Sequence, residues 1–219
     1  MLESKILVFD SLASDYDAWF EEGGRLIFAS EVEALRQTLS LLPKPWIEVG
    51  VGSGRFAQAL GIDIGLDPSS KLLEMARNRG INVFLGSGEE ASFQGGVFGT
   101  VFFVVTLCFV DSPMRTLGEA ARLLESQGKV VLGLVLKESP WGQLYQREKE
   151  RGHRFYRYAT FYSYAEVDTL LKQTGFSIEK VVSTLFQHPG ELNHIELPRQ
   201  GFSVDAGFTV ILAGKPRSR

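Results

Sequence analysis

The sequence predicts an α/β protein in which a doubly wound, mostly parallel sheet is covered by helices on both faces. Short apolar segments with strand character alternate with amphipathic helical segments along most of the chain. Glycine or proline follows many of these segments, as is typical of element ends. The length of 219 residues and the apolar content of 44% suit one globular domain without disulfide support.

The first half of the chain alternates between periodic helices and short strands. Apolar residues at helical spacing precede Pro43, which stops a helix. Ser69 and Ser70 are N-cap candidates, and Gly61 and Gly80 are typical of helix ends. The predicted elements are helix 26–42, strand 46–49, helix 55–60, strand 62–66, a helix that runs to Gly80, and strand 81–85.

The second half follows the same alternation. Residues 91–110 carry no charge and are long enough for a membrane span, but their Phe and Val content favours a buried central strand. Ser112 with Pro113 marks a helix start, and Ser163 with Glu166 fits a capping box. The predicted elements are strand 98–105, a helix from Pro113 to Gly128, strand 129–136, a helix from Ser163 to Gly175, and strands 176–185 and 208–212. Residues 138–162 show no clear periodicity.

Composition and charge exclude several classes of protein. The net charge of −3 offers no basic surplus, so a nucleic-acid partner is not expected. Acidic residues interrupt the N-terminal segment, which therefore does not fit a secretory signal, and membrane insertion is not expected. The single cysteine, Cys108, favours either a reducing, cytoplasmic location or a protein that is indifferent to redox conditions, and a cytoplasmic location is expected. No His/Cys spacing indicates a metal site, and no feature predicts the oligomeric state.

The segment IEVGVGSG, residues 47–54, is a strand that ends in a Gly-x-Gly-x-Gly turn before a helix. In doubly wound sheets, ligands bind at the carboxyl ends of strands, although a tight turn without a ligand is an alternative for the glycines alone. The third glycine comes one residue too early for a nicotinamide dinucleotide fingerprint, and Glu48 would repel a pyrophosphate. Asp67 is placed to accept hydrogen bonds from two ribose hydroxyls. This combination favours a cationic nucleoside without phosphate, such as S-adenosylmethionine.

At these motifs the sequence resembles the class I S-adenosylmethionine-dependent methyltransferases of the small-molecule type, with the ubiquinone/menaquinone methyltransferase-like domain. The resemblance covers about residues 10–215: IEVGVGSG and IGLDPS match the first two family motifs, GSGEEASF the third, and LCFVDSPMRTLGEAARLLESQGKVVL the fourth strand, the next helix and the fifth strand. It implies a seven-stranded Rossmann-like sheet with an antiparallel last strand. Two positions depart from the family: Ser87 replaces an Asp or Asn, and Gly99 replaces an Asp.

The resemblance implies methyl transfer from S-adenosylmethionine to a small-molecule acceptor. Tyr16, within FDSLASDYDAWF, is expected to close over the cofactor. The cofactor-binding residues implied are Tyr16, Glu48, Gly50, Val51, Gly52, Gly54, Asp67, Pro68, Ser87, Gly88, Glu89, Thr106 and Leu107. The single methyltransferase domain, residues 1–219, is expected to comprise an N-terminal cap region (1–42), a cofactor-binding core (43–137), an acceptor-site lid (138–162) and a C-terminal helix and strands (163–219).

The acceptor pocket is expected between the cap and residues 138–162, with Trp141, Tyr145, Tyr156 and Phe161 as candidate residues. Aromatic walls exclude water and hold flat or cationic molecules. An equal alternative is that the aromatic residues of 138–162 only pack against the rest of the protein. The basic residues of the same region fit a solvated helix face. In-line displacement from a sulfonium depends mainly on alignment and desolvation, so no catalytic residue is predicted.

Three histidines, His153, His188 and His194, are candidate bases, but each is more simply structural or exposed. Cys108 is more simply a small buried residue than a pocket-lining one. Two alternatives to a methyltransferase are a non-catalytic regulatory module that binds the same cofactor and, with less support, a nicotinamide-dependent oxidoreductase.

Overall fold

Eight strands form one sheet in the computed structural model, which describes residues 2–215 and the side chains of residues 5–215. The strands are β1 (Trp46–Val49), β2 (Ile64–Asp67), β3 (Asn82–Leu85), β4 (Phe98–Val104), β5 (Leu124–Leu134), β6 (Ser177–Thr184), β7 (Arg199–Gln200) and β8 (Phe208–Gly214). Their order is β3-β2-β1-β4-β5-β8-β6-β7. Strands β1 to β5 pair in parallel, whereas β8 runs antiparallel to β5 and β6. The predicted fold class is confirmed, with one more strand than expected because β7 adds a two-residue edge strand.

Helices cover both faces of this sheet. They are α1 (Leu2–Ser11), α2 (Ala13–Trp19), α3 (Arg25–Arg36), α4 (Arg55–Leu60), α5 (Ser70–Asn78), α6 (Pro113–Leu123), α7 (Pro140–Glu150) and α8 (Tyr164–Gln173), with 3₁₀ turns at Leu39–Leu41 and Tyr156–Tyr158. The core divides into two apolar clusters, and the adjacent β4 residues Phe102 and Phe103 belong to different ones. This is the alternation expected of a strand that is buried on both faces. None of the described helices is long and apolar enough to cross a membrane.

The predicted helix starts and most helix ends are confirmed. The Ser69 and Ser112 hydroxyls accept hydrogen bonds from the backbone N–H groups of Leu72 and Arg115, and Ser163 forms a complete capping box with Glu166. The glycines expected at three helix ends have the left-handed conformation; they are Gly61, Gly80 and Gly175.

Two predicted helices end earlier than expected. The helix expected over 26–42 ends at Arg36, because the Thr38 hydroxyl donates to the Leu35 carbonyl and the chain continues as a 3₁₀ turn. The helix expected to reach Gly128 ends at Leu123, and β5 begins at the next residue. Gly128 is required for packing rather than for a helix end, since a Cβ there would lie 2.8 Å from the Leu124 side chain.

Two regions contain helices that the periodicity did not predict. Residues 2–19 contain α1 and α2, and the region 138–162 contains α7 and the second 3₁₀ turn. Helix α7 begins with Ser139 as N-cap and Pro140 at the first helical position, which is the signal that predicted α6. Parts of the expected ranges 1–42 and 163–219, namely residues 1 and 216–219, lie outside the described residues.

The sheet creates a cleft where the strand order changes direction between β1 and β4. The chain leaves β1 toward β2 and β3 and later enters β4 on the other side, so the carboxyl ends of β1 and β4 face a common crevice. Val105, directly after β4, has φ of 53°, which a β-branched residue rarely adopts. Its N–H donates to the Gly133 carbonyl at 2.8 Å. This hydrogen bond to β5 stabilises the strained backbone of Val105. Strained residues of this kind often occur at functional sites, so the crevice is a candidate site.

Candidate cofactor and acceptor site

A cavity of about 290 Å³ occupies this crevice. Its lining combines the strand ends with side chains from α1 to α3 and from the region 145–162. The size is near the lower end of the range for small-molecule sites. Most of the expected cofactor-binding residues line it; these are Tyr16, Gly50, Gly52, Asp67, Pro68, Ser87, Gly88, Glu89 and Thr106.

The glycine loop after β1 has a backbone that only glycine adopts readily. Gly50, Gly52 and Gly54 have φ of 76°, 53° and 84°. A Cβ at Gly50 would overlap the Thr106 side chain, whose hydroxyl donates to the Gly50 carbonyl at 3.2 Å. The loop therefore lies directly against the end of β4, and its main chain is open to a ligand on the cavity side.

Asp67 connects the end of β2 to this loop. Its Oδ2 accepts a hydrogen bond from the Gly52 N–H at 2.9 Å, and its Oδ1 accepts one from the Ser69 N–H at 2.8 Å. Burial raises the pKa of Asp67 to about 6, although these two hydrogen bonds oppose the shift. Each carboxylate oxygen keeps a second lone pair for a hydroxyl donor. The arrangement can accept both hydroxyls of a ribose.

Ser87 and Glu89 line the cavity from the loop after β3, and the Glu89 carboxylate reaches the N-cap of α6, Ser112. The Ser87 hydroxyl donates to the Glu89 carboxylate, which also accepts from the Asp111 N–H at 2.9 Å. Burial raises the pKa of Glu89, but these hydrogen bonds outweigh it and lower the pKa overall. At the position where the family has an Asp or Asn, Ser87 therefore donates a hydrogen bond to the Glu89 carboxylate.

Tyr16 covers the glycine loop from the N-terminal side. A Cβ on Gly52 would lie 3.6 Å from the Tyr16 hydroxyl. The neighbouring Asp17 accepts hydrogen bonds from Arg55 at 2.6 and 2.8 Å and from Arg79 at 2.8 Å. Burial raises the pKa of Asp17, but the bonds from Arg55 and Arg79 prevail and lower it to about 2. This clamp fixes α2 on α4 and on the end of α5.

Several expected site residues lie outside the cavity lining. Glu48 is buried behind the loop, where its Oε2 has no hydrogen-bond partner among the described residues. Burial first, and then the Asp67 charge, raise the pKa of Glu48 well above its usual range. Its role in cofactor binding stays a prediction. Val51 and Leu107 belong to the two core clusters, and Gly54 is in contact with Ala76.

Comparison with known proteins agrees with this geometry. The methyltransferase domain family matches residues 47–132. An uncharacterized protein of Mycobacterium tuberculosis is 42% identical over 92% of this chain and 71% of its own length. The crystal structure of an S-adenosylmethionine-dependent methyltransferase of Thermotoga maritima, described as a possible histamine N-methyltransferase, is 39% identical. It covers 96% of this chain and 99% of its own, with a TM-score of 0.89.

The chain belongs to the class I S-adenosylmethionine-dependent methyltransferases. Such methyltransferases take the methyl group from S-adenosylmethionine, and the residues of this chain fit that cofactor. Gly50 and Gly52 line the cavity with main chain alone, and Asp67 can receive the ribose. The nicotinamide alternative loses its basis with this assignment. At Gly99, which stands where the family has an Asp, a Cβ would overlap the Pro43 carbonyl.

The second half of the methyltransferase cavity is aromatic. Tyr145, Tyr156 and Phe161 line it as expected, together with Phe155. Tyr145 and Tyr156 stack with ring centroids 4.4 Å apart. Trp141 does not line the cavity; it packs against Gly207, and its indole N–H donates to the Gln187 carbonyl at 2.9 Å. Of the candidate bases, only His153 lines this half, and Cys108 lines it as well.

One charged residue of this half was missed by the sequence interpretation. Glu31 on α3 lines the cavity and is 4% exposed. Burial raises the pKa of its carboxyl group to about 8. A signal was present, because Glu31 lies four residues from both Ile27 and Leu35 on the buried face of the helix, where an apolar residue is expected.

Proposed function

We propose that this methyltransferase transfers the methyl group to a small-molecule acceptor held in the aromatic half of the cavity. One observation carries the proposal: the glycine loop with Asp67 and the aromatic residues Tyr145 and Tyr156 line the same cavity. The region 138–162 then acts as an acceptor-site lid within a single domain composed of cap, core, lid and C-terminal segment. A cytoplasmic location follows from the single cysteine and is part of the same proposal.

The chemistry requires little more than positioning by the protein. Bound S-adenosylmethionine supplies an electrophilic methyl group on a positively charged sulfur, which is a good leaving group. Asp67 and Glu89 hold the nucleoside part, and Thr106 and the loop carbonyls face the amino-acid part. Tyr16 and Phe155, whose rings lie 5.8 Å apart, exclude water above the reacting atoms. The T. maritima relative, described as a possible histamine N-methyltransferase, also supports an acceptor of low molecular mass.

Isothermal titration with S-adenosylhomocysteine tests cofactor binding. We expect one site with a dissociation constant in the micromolar range, which corresponds to about 8 kcal/mol. A flat titration at ~100 μM ligand, where such a site would be saturated, contradicts the proposal.

Turnover separates an enzyme from a regulatory module. Small amines, phenols and thiols are incubated with labelled S-adenosylmethionine, and transfer of label to any of them supports the proposal. Binding of S-adenosylhomocysteine without transfer to any member supports the non-catalytic alternative.

A further inference from the structure

Glu31 is a buried carboxylate to which the cofactor half of the cavity gives no role. It lies on the cavity wall formed by α3, with 4% of its surface exposed. Among residues 5–215, no side chain forms an ion pair or a hydrogen bond with it, and burial alone sets its pKa. A buried carboxylate without a partner is costly. A group that the ligand brings is the simplest partner.

The charged neighbours in the cavity leave Glu31 without a counter-ion. Lys5 pairs with Asp111 at 2.5 Å, and Arg154 pairs with Asp15 at 2.6 Å. Three phenols line the same cavity as Glu31; they belong to Tyr16 on α2, Tyr145 on α7 and Tyr156 in the 3₁₀ turn. Burial first, and then nearby charges that include Glu31, raise the pKa values of these phenols. They therefore stay neutral in the working pH range.

We propose that the acceptor is a small amine, and that Glu31 binds its protonated nitrogen and then takes the proton. The inference rests on the proposed function. An ammonium group would neutralise the ionised Glu31 carboxylate. Tyr156 stacks on Tyr145 and on His153, with ring centroids 4.4 and 4.5 Å apart, so the carboxylate is the group that would hold the cation. A neutral acceptor such as an alcohol would offer the ionised carboxylate a hydrogen bond but no counter-charge.

The proton and electron balance of the step is complete. The ammonium group gives one proton to the Glu31 carboxylate, and the nitrogen lone pair that this frees forms a bond to the methyl carbon. The carbon–sulfur bond breaks and its electron pair stays on sulfur, which becomes neutral. The product is a methylated ammonium group, and the proton on Glu31 passes to solvent when the product leaves.

His153 is the competing base in this half of the cavity, and its hydrogen bonds disfavour it. Its Nδ1 accepts from the N–H groups of Phe155 and Tyr156, both at 3.4 Å, so its proton lies on Nε2. Burial lowers the pKa of His153. In neutral His153 the nitrogen that is free to meet a ligand, Nε2, already carries a proton. It can donate a hydrogen bond to the acceptor but cannot take a proton from it.

The test compares ligands that differ only in their charge. The protein is saturated with S-adenosylhomocysteine, and two matched pairs are titrated: 2-phenylethylamine with 2-phenylethanol, and butylamine with butanol. We expect at least one amine to bind at least about 10-fold more tightly than its alcohol at pH 8. Equal affinities in both pairs, or no binding of either amine, overturn the inference.

Proton release gives a second readout that does not depend on activity. The Glu31 pKa of about 8 means that the free carboxyl group is protonated at pH 6.5. Binding of an ammonium group must then release about one proton, which is measured by titration in buffers of different ionisation enthalpy. The pKa of Asp67 is about 6, and burial raises the pKa of Glu48 well above its usual range, but the bound S-adenosylhomocysteine keeps the surroundings of both groups constant in all titrations. Amine binding without proton release contradicts the role of Glu31.

Glu31→Gln and Glu33→Gln form a matched pair of variants on the same helix. Glu33 is half-exposed and pairs with Arg36 outside the cavity. In Glu31→Gln we expect the amine to lose at least about 10-fold in affinity and the proton release to vanish, while Glu33→Gln matches the wild type. A Glu31→Gln protein that keeps both properties overturns the inference. If Glu31→Gln does not fold, two measurements on the wild-type protein still test the inference: the affinity of each amine relative to its alcohol, and the proton release on amine binding.

The proposed function and this inference fail in different ways. Loss of S-adenosylhomocysteine binding in the wild-type protein refutes the proposed function. Normal S-adenosylhomocysteine binding without preference for amines refutes only the role of Glu31.

Discussion

At the residue scale, Asp67 both stabilises the glycine loop and is placed to bind the ribose. Its two oxygens hold the glycine loop and the start of α5 through the N–H groups of Gly52 and Ser69, and their remaining lone pairs face the cavity. The sequence predicted the ribose contact from the position of Asp67 at a strand end. The loop contacts depend on the folded distance between β1 and β2 and could not be predicted.

Replacing Asp67 should weaken cofactor binding. In Asp67→Asn, the amide still fills the space but loses the charge and one acceptor, so we expect the affinity for S-adenosylhomocysteine to fall by about 10-fold or more. Isothermal titration measures this. Asp63→Asn is the control, because Asp63 is exposed just before the same strand. Equal affinity of Asp67→Asn and the control would contradict the assignment.

Glu31 should make the protein less stable as pH rises. Burial raises its pKa from 4.5 to about 8, so the folded state binds more protons than the unfolded state between these values. The stabilising effect of protonated Glu31 is present below pH ~4.5 and is lost as pH rises through ~8. Glu31→Gln removes this loss, so its free energy of unfolding should gain ~1–3 kcal/mol relative to the wild type between pH 5 and pH 8.

Urea denaturation at pH 5, 6.5 and 8 measures the difference between the two proteins. Glu33→Gln is the control, and its difference from the wild type should stay constant. A constant difference for Glu31→Gln as well would mean that the carboxyl group is not perturbed by burial.

At the scale of elements, the glycine loop depends on both its backbone angles and its closeness to β4. Gly50→Ala introduces a Cβ at positive φ and into the Thr106 side chain. We expect it to lower the affinity for S-adenosylhomocysteine by at least about 10-fold, because the loop must move. Gly61→Ala is the control: it has φ of 72° but meets no atom within 4 Å. It should cost about 1 kcal/mol of stability and leave binding unchanged.

Helix α2 is held on the cofactor side by the Asp17 clamp to Arg55 and Arg79. Asp17→Asn weakens both ion pairs, so Tyr16 should close less firmly over the cofactor. We expect S-adenosylhomocysteine to dissociate about 10-fold faster in a stopped-flow experiment. The control is Glu22→Gln, an exposed residue just after α2. Unchanged dissociation in Asp17→Asn would exclude α2 as a closing element.

The elements with strong local signals were predicted well, and those fixed by tertiary contacts were not. Ser112 and Pro113 predicted α6, and the same pair at Ser139 and Pro140 would have predicted α7. The early end of α6 depends on the pairing of Leu124 with Phe98 in β4, which no local pattern contains. Helices α1 and α2 pack through aromatic contacts with distant segments, such as Phe9 on Phe155 at 5.2 Å.

At the scale of the whole molecule, the sheet follows from the alternation of strands and helices, whereas the cavity requires elements that are far apart in the sequence, between residues 5 and 162. The glycine loop and Asp67 come from β1 and β2, Glu31 from α3, and Tyr156 from a turn more than 100 residues later. Their convergence makes one site from a cofactor half and an acceptor half. Only the cofactor half has a motif that can be recognised in the sequence.

A crystal structure with S-adenosylhomocysteine bound tests this division most directly. We expect the ribose hydroxyls to contact Asp67 and the homocysteine part to lie along the glycine loop near Thr106. We expect the sulfur to face the half of the cavity that contains Glu31 and Tyr156. An adenine among the aromatic residues of that half, or a sulfur directed away from Glu31, would contradict this division.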